Sequence, residues 1–195
     1  NDIQQKISEI NGQKIGEEMD EKGYVLLSQF LPVKYCKEFI DEYDNEGLYR
    51  KIITMEKYRF GLGEYKYFKY PLPNLIHIIR KGVYPILAPI ANNWMRLLNL
   101  KRHFPNEFEK LQQVCQDNNQ VECTVLILKY GKGGFNTLHQ DLYGNIFFPM
   151  QLVIFLNEPD EDYFGGEFVL TQQNPRAQSK AIVLRPRMGD MLVLT

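Results

Sequence analysis

A histidine and an aspartate lie two positions apart in the stretch FNTLHQDLYG, residues 135–144. On a β-strand, residues i and i+2 point to the same face, so His139 and Asp141 would project together while Gln140 points away. An imidazole and a carboxylate on one face are two of the three ligands of a 2-His-1-carboxylate Fe(II) site. A chain with three histidines contains such a pair by chance in about one case in seven at ordinary residue usage. The surrounding sequence must therefore decide whether the pair is a metal site.

A second stretch that could do chemistry is basic and aromatic. Residues 50–81 hold eight Lys or Arg against two Glu, a net charge of +6, whereas residues 1–49 have a net charge of −6. Cations and rings are interleaved in KYRFGLGEYKYFKYPLP, which suits the binding of phosphates and stacked bases. Alternation in EYKYFKY fits equally a hairpin whose rings pack on the core while its lysines face water. On the first interpretation the candidate substrate-binding residues are Arg59, Tyr65, Lys66 and Tyr67.

The elements that must position these residues fall into two segments. Residues 1–120 are predicted to be mainly helical with one strand, GYVLLSQF, and residues 74–99 to form two helices or one broken helix, because Gly82, Pro85 and Pro89 interrupt them. Residues 121–195 consist of short β-branched and apolar runs with no helix between them. Helices followed by antiparallel strands predict an α+β chain whose strands form a sandwich or jelly-roll barrel, in what we expect to be one structural domain.

Composition excludes several classes of protein. The chain has 195 residues, 44% of them hydrophobic, which is enough for a full core. No apolar run approaches the length of a membrane span, and residues 1–20 are too polar for a secretory signal. The odd number of cysteines and the lack of a CxxC spacing argue against a disulfide framework and a zinc knuckle. We expect a cytoplasmic protein with no membrane partner.

From about Cys123 to Thr195 the sequence resembles the double-stranded β-helix core of Fe(II)- and 2-oxoglutarate-dependent dioxygenases. The stretch KYGKGGFNTLHQD is most similar to AlkB-type oxidative demethylases, in which a Y-x-x-G...LHxD arrangement is typical. The blocks FGLGEYKYF, LHQDLYG and GGEFVLTQQ are similar to a bacterial group of such oxygenases described as acting on damaged DNA. The resemblance implies N-terminal helices packed on a jelly-roll oxygenase core in residues 121–195.

The resemblance also implies a site and a reaction. His139 and Asp141 would bind Fe(II), and the hydroxyl group of Tyr130 would donate a hydrogen bond to 2-oxoglutarate, with O2 as the other co-substrate. The reaction implied is oxidative demethylation of alkylated DNA or RNA, and hence DNA repair.

The chain departs from the AlkB pattern at two places. Leu128 stands where that pattern has an asparagine that contacts the co-substrate. The pattern also has a second iron-binding histidine and a 2-oxoglutarate-binding arginine after the last strand seen here, GDMLVLT. We expect both beyond Thr195, so that the last strands of the core are missing from this chain. His77 and His103 lie in the helical segment and are not expected to replace the second histidine.

Two other functions remain open on the sequence. One is a 2-oxoglutarate-dependent hydroxylase of a protein side chain or a small metabolite, because GYVLLSQFLPVKYCKEFI resembles the entry strand and helix of prolyl-hydroxylase-like relatives. The other is a non-catalytic, cupin-like binding module.

Overall fold

A computed structural model describes residues 2–142, 144–173 and 175–195, and within them the chain forms five α-helices and ten β-strands. The helices are α1 (Asp2–Ser8), α2 (Gly12–Lys22), α3 (Val33–Asp41), α4 (Asn74–Leu97) and α5 (Phe108–Asp117). The strands are β1 (Tyr24–Leu27), β2 (Tyr49–Thr54), β3 (Gly61–Leu62), β4 (Glu64–Phe68), β5 (Leu126–Lys129), β6 (Phe135–Asn136), β7 (Gln151–Ile154), β8 (Phe168–Gln172), β9 (Lys180–Leu184) and β10 (Met191–Leu194).

Helix α4 is continuous, and the expectation of a break at its two prolines is wrong. Pro85 and Pro89 both lie on the exposed side of the helix, where the carbonyl groups that lose their intrahelical partners can bond to water. Gly82 allows α1 to pack closely, since a Cβ atom at this position would lie 2.8 Å from Cδ1 of Ile7. The opposite side of α4 is buried in the core, and this packing stabilises the helix across both prolines.

The largest hydrophobic core forms around the sheet with the strand order β1-β10-β7. The central strand β10 is enclosed, and Met191, Leu192 and Val193 have no exposed surface. Side chains from α1, α2 and α4 complete the cluster, with Ile3 and Val83 among the fully buried residues. The apolar run GDMLVLT therefore has the burial expected of a central strand.

The other sheets are β2-β4-β5, β3-β6 and β8-β9, and all strand pairs are antiparallel. Strands from the first 120 residues pair with strands from the rest of the chain: β1 with β10, β4 with β5, and β3 with β6. The mixture of helix and antiparallel sheet predicted from the sequence is confirmed. The jelly-roll arrangement stays a prediction, because the described strands form several small sheets.

Among the helices of the described ranges, none combines the length and the apolar character needed to cross a membrane.

Candidate active site

Hydrogen bonds to β3 hold the chain immediately before the His139–Asp141 pair. Strand β6 pairs with β3, with Asn136 opposite Gly61. One residue further on, Thr137 donates its backbone N–H and its hydroxyl group to the carbonyl oxygen of Phe60, at 2.8 and 2.9 Å. These bonds fix the position from which the chain continues to His139.

Glycine is required at position 61 for this pairing. A Cβ atom there would lie 2.9 Å from the Cα atom of Asn136 and closer still to the carbonyl oxygen of Phe135, and the backbone has a φ of 147°. Few residues other than glycine adopt this conformation. Gly61, the first glycine in FGLGEYKYF, therefore allows the backbone leading to His139 to approach β3.

The segment that carries the pair is irregular, so the strand alternation that would align His139 and Asp141 does not apply. The two side chains nevertheless lie together, with Nε2 of His139 3.5 Å from Oδ1 of Asp141. Both are accessible, with 46% and 33% of their side-chain surfaces exposed. The anchored chain, rather than strand alternation, brings the two groups to one side.

Hydrogen bonds on the far sides of both groups hold them in place. Nδ1 of His139 lies 2.7 Å from the carbonyl oxygen of Thr137. Because a carbonyl oxygen only accepts, the neutral ring carries its proton on Nδ1, and the lone pair of Nε2 faces Asp141. Oδ2 of Asp141 accepts a hydrogen bond of 2.9 Å from Nε2 of Gln151, the first residue of β7. Sequence reasoning missed Gln151, since nothing in its apolar surroundings points to a polar role.

The pair fits two positions around one metal ion. Donors that each bind an ion at about 2.0–2.2 Å lie roughly 3.0–3.4 Å apart, close to the observed separation of 3.5 Å. Across residues 2–142, 144–173 and 175–195, no group of three or more His, Cys, Asp or Glu side chains is placed to hold a metal. His77 lies within α4, and His103 precedes α5. The described residues therefore supply a two-donor half-site.

Tyr130 follows β5 and approaches the same region. Its ring lies against Gly63, in the connection between β3 and β4, and the turn of residues 131–134 then leads into β6. Burial raises the pKa of Tyr130, and the side chain of Asn136, within hydrogen-bonding range, partly opposes the increase. Because the ordinary pKa of tyrosine, about 10, already lies well above neutral pH, the hydroxyl group is protonated there and can donate a hydrogen bond. Its role towards 2-oxoglutarate stays a prediction.

Two of the candidate substrate-binding rings share one face of β4. Tyr65 and Tyr67 are half-buried and contact each other edge to face, with ring centroids 5.5 Å apart. Leu128 of β5 lies directly opposite Tyr65 and is 40% exposed. The guanidinium group of Arg50 lies 4.7 Å from the centroid of the Tyr67 ring and donates to the carbonyl oxygen of Cys123. One side of the Tyr67 ring is therefore covered by Arg50, which sequence reasoning did not single out.

Lys66 points to the opposite face and is only 5% exposed. Its ammonium group donates to the carbonyl oxygen of Tyr43 at 3.0 Å and lies 3.9 Å from the centroid of that ring. The carboxylates of Asp44 and Glu64 are each 3.7 Å away. This orientation corrects the expectation that the lysines of EYKYFKY face water for Lys66, whereas Lys69 is exposed as expected. It also corrects the expectation that Lys66 binds substrate, because its charge is engaged inside the protein.

Arg59 is exposed, and its two neighbours in the sequence, Tyr58 and Phe60, have rings that stack on each other. Within the described residues it forms no ion pair. The carbonyl group of the next residue, Phe60, is the one that holds Thr137. The structure therefore brings Arg59 near the segment of His139, although about 80 residues separate them in sequence.

The fold mixes helices and sheets, and it places the imidazole of His139 beside the carboxylate of Asp141. These features define a protein with a candidate metal-binding half-site. Residues 63–195 match the Oxygenase-NA family, described as "Oxygenase, catalysing oxidative methylation of damaged DNA", and the chain belongs to this family.

Two relatives come from two strains of Mycobacterium tuberculosis, the uncharacterized proteins MT2286 and Rv2227. Each is 41% identical over 128 residues, which is 66% of this chain and 55% of the relative. The chain thus spans about half the length of the curated relatives it matches. No solved structure matches the chain.

Proposed function

We propose that this protein is an Fe(II)- and 2-oxoglutarate-dependent dioxygenase that demethylates alkylated nucleic acid. The observation that carries the proposal is the His139–Asp141 pair, in which each donor is held on its far side by a hydrogen bond, to Thr137 and from Gln151. Partners of this kind orient metal ligands and fix the tautomer of a ligating histidine. An imidazole and a carboxylate also suit ferrous iron, whose non-haem oxygenase sites use these donors.

Bound iron, with 2-oxoglutarate and O2 as co-substrates, would supply the oxidant that hydroxylates a C–H bond, while 2-oxoglutarate is converted to succinate and CO2. His139 and Asp141 would hold the ion. Tyr130, whose hydroxyl group is protonated at neutral pH as in any ordinary tyrosine, would donate a hydrogen bond to a carboxylate of 2-oxoglutarate. A hydroxylated N-methyl group leaves as formaldehyde and restores the unmodified base. The proposed reaction therefore removes a methyl group from the base rather than adding one.

A nucleic-acid substrate is supported by the family description and by the charge of residues 50–81. Lys51, Lys57 and Arg59 are exposed, and none of these three cations is in an ion pair within the described part of the chain. Their charges are therefore available to phosphates, and displacement of counterions would make binding dependent on salt.

The test is uptake of metal and co-substrate by the full-length natural protein. Calorimetry with Mn(II) as an air-stable stand-in for Fe(II) should detect metal-dependent binding of 2-oxoglutarate. His139→Ala and Asp141→Ala should each abolish it, because each removes a metal donor. His103→Ala is the matched control, since it removes an exposed histidine outside the half-site.

Turnover separates the substrate classes. Methylated single-stranded oligonucleotide should stimulate release of succinate and formaldehyde from the protein loaded with Fe(II). Succinate release driven by peptides or metabolites but not by oligonucleotide would overturn the nucleic-acid assignment and favour the hydroxylase alternative. Metal-independent binding of 2-oxoglutarate, or none, would overturn the oxygenase itself and favour a binding module.

A further inference from the structure

We propose that the rings of Tyr58 and Phe60 form a platform on which an unpaired base of single-stranded nucleic acid stacks. The two rings are nearly parallel, with an interplanar angle of 18° and centroids 5.5 Å apart. They are also 54% and 42% exposed. This inference rests on the proposed function, since it names the form of nucleic acid that the same site would take.

The platform sits on a loop whose backbone is closed by hydrogen bonds. A one-turn 3-10 helix, Met55–Tyr58, precedes Arg59, whose φ of 60° reverses the chain. Met55 is fully buried; its N–H donates to the carbonyl oxygen of Gly63, and its carbonyl oxygen accepts from the N–H of Phe60. The backbone that carries the rings is therefore ordered before any partner arrives, which lowers the entropic cost of binding.

The platform is close to the His139–Asp141 pair. The carbonyl oxygen of Phe60 accepts both hydrogen bonds from Thr137, two residues before His139. Neighbouring strands are about 5 Å apart and two residues span at most about 7 Å, so the Cα atoms of Phe60 and His139 lie within about 12 Å. A strand whose reacting nucleotide lies at the pair could therefore place a flanking base on the platform.

The charges beside the rings indicate a polyanion as the partner. Lys57 and Arg59 flank Tyr58 in the sequence, are exposed, and form no ion pair within the described residues. The neighbouring acid, Glu56, is engaged by the N–H of Gly63 at 3.4 Å. Rings interleaved with free cations suit single strands, in which the faces of the bases are accessible and each phosphate is charged. In a duplex those faces are already stacked.

The experiment measures binding of a labelled single-stranded oligonucleotide to the full-length natural protein by fluorescence anisotropy, without metal or 2-oxoglutarate. Tyr58→Ala and Phe60→Ala should each raise Kd by about 5- to 150-fold, the usual loss for one base–ring stack. Tyr58→Phe keeps the ring and should stay within about twofold of wild type. Phe164→Ala is the control, since it removes a ring that is 83% exposed elsewhere.

A second measurement detects stacking directly. A fluorescent base analogue in the oligonucleotide should be quenched by wild type and Tyr58→Phe but not by Tyr58→Ala, and circular dichroism with urea titration should show the variants to be folded. Three results would each overturn the inference. They are wild-type affinity in both alanine variants, an equal loss of affinity for duplex and single-stranded oligonucleotide in those variants, and no binding of the oligonucleotide by the wild-type protein. Metal-dependent uptake of 2-oxoglutarate tests the oxygenase without nucleic acid, so the two proposals fail separately.

Discussion

Replacing Gly61 by alanine should loosen the His139–Asp141 pair without unfolding the protein. The added Cβ atom would lie 2.9 Å from the Cα atom of Asn136, in a backbone with a φ of 147°. Strands β3 and β6 have two residues each and are not fully buried, so they can relieve this conflict by separating. Separation costs the two hydrogen bonds from Thr137 to Phe60, at about 0.5–1.5 kcal/mol each, and those of the short β3–β6 pairing itself. The part lost at Thr137, about 1–3 kcal/mol, is well below a total stability of about 5–15 kcal/mol.

The larger effect should be on the site. Thr137 also accepts the hydrogen bond from Nδ1 of His139, so its displacement removes the group that orients the imidazole. Loss of such a partner typically lowers metal affinity by about 10- to 100-fold, which Mn(II) titration can measure. Gly131→Ala is the matched control, because a Cβ atom there would meet nothing within 4 Å. Wild-type Mn(II) affinity in Gly61→Ala, or an equal loss in both variants, would refute the reasoning.

Two further predictions concern single side chains. Lys66→Met should lower the free energy of unfolding by about 1.5–3 kcal/mol, because it removes a buried charged donor from the Tyr43 carbonyl group. Lys69→Met, at an exposed position, should leave the free energy of unfolding unchanged. A loss of oligonucleotide affinity in Lys66→Met without a shift in the urea midpoint would contradict this assignment. Tyr130→Phe should weaken binding of 2-oxoglutarate in calorimetry with little change in folding at neutral pH. Because burial raises the pKa of Tyr130, its protonated hydroxyl stabilises the fold fully below the unfolded pKa of about 10, and this stabilisation is lost as the pH rises through the folded pKa. The difference in urea midpoint between wild type and Tyr130→Phe should therefore change above about pH 10, and a constant difference would show that burial does not act on this hydroxyl.

The helices and strands were largely predictable, because their patterns are local. The helical spacing in residues 1–120 and the short apolar runs after residue 121 correspond to elements found in the structure. The described part of residues 1–120 contains four strands, β1 to β4, rather than the single strand and the alternative hairpin that were predicted. Helix α4 is a second departure. Proline is unfavourable within a helix when only the local chain is considered, whereas the buried side of α4 packs against the core and both prolines face solvent. The sequence does not reveal that compensation.

Alternation along β4 predicted a strand but could not say which face is inward. The structure turns Lys66 inward, where the Tyr43 ring and carbonyl group receive its ammonium. The inward face was decided by residues of another segment, more than 20 positions earlier in the chain. An ammonium group can be buried only where such partners exist, and a pattern of alternating rings and lysines does not contain them.

By itself, the sequence determined which groups could do chemistry: an imidazole and a carboxylate two positions apart, and a segment in which rings and cations alternate. The tertiary structure alone decided how these groups are arranged. It fixed the tautomer of His139 through Thr137, held Asp141 through Gln151, and placed the rings of Tyr58 and Phe60 beside them. The physical reason is that hydrogen-bond partners and close approaches depend on backbone segments that are distant in sequence, whereas residue types and their spacing are local.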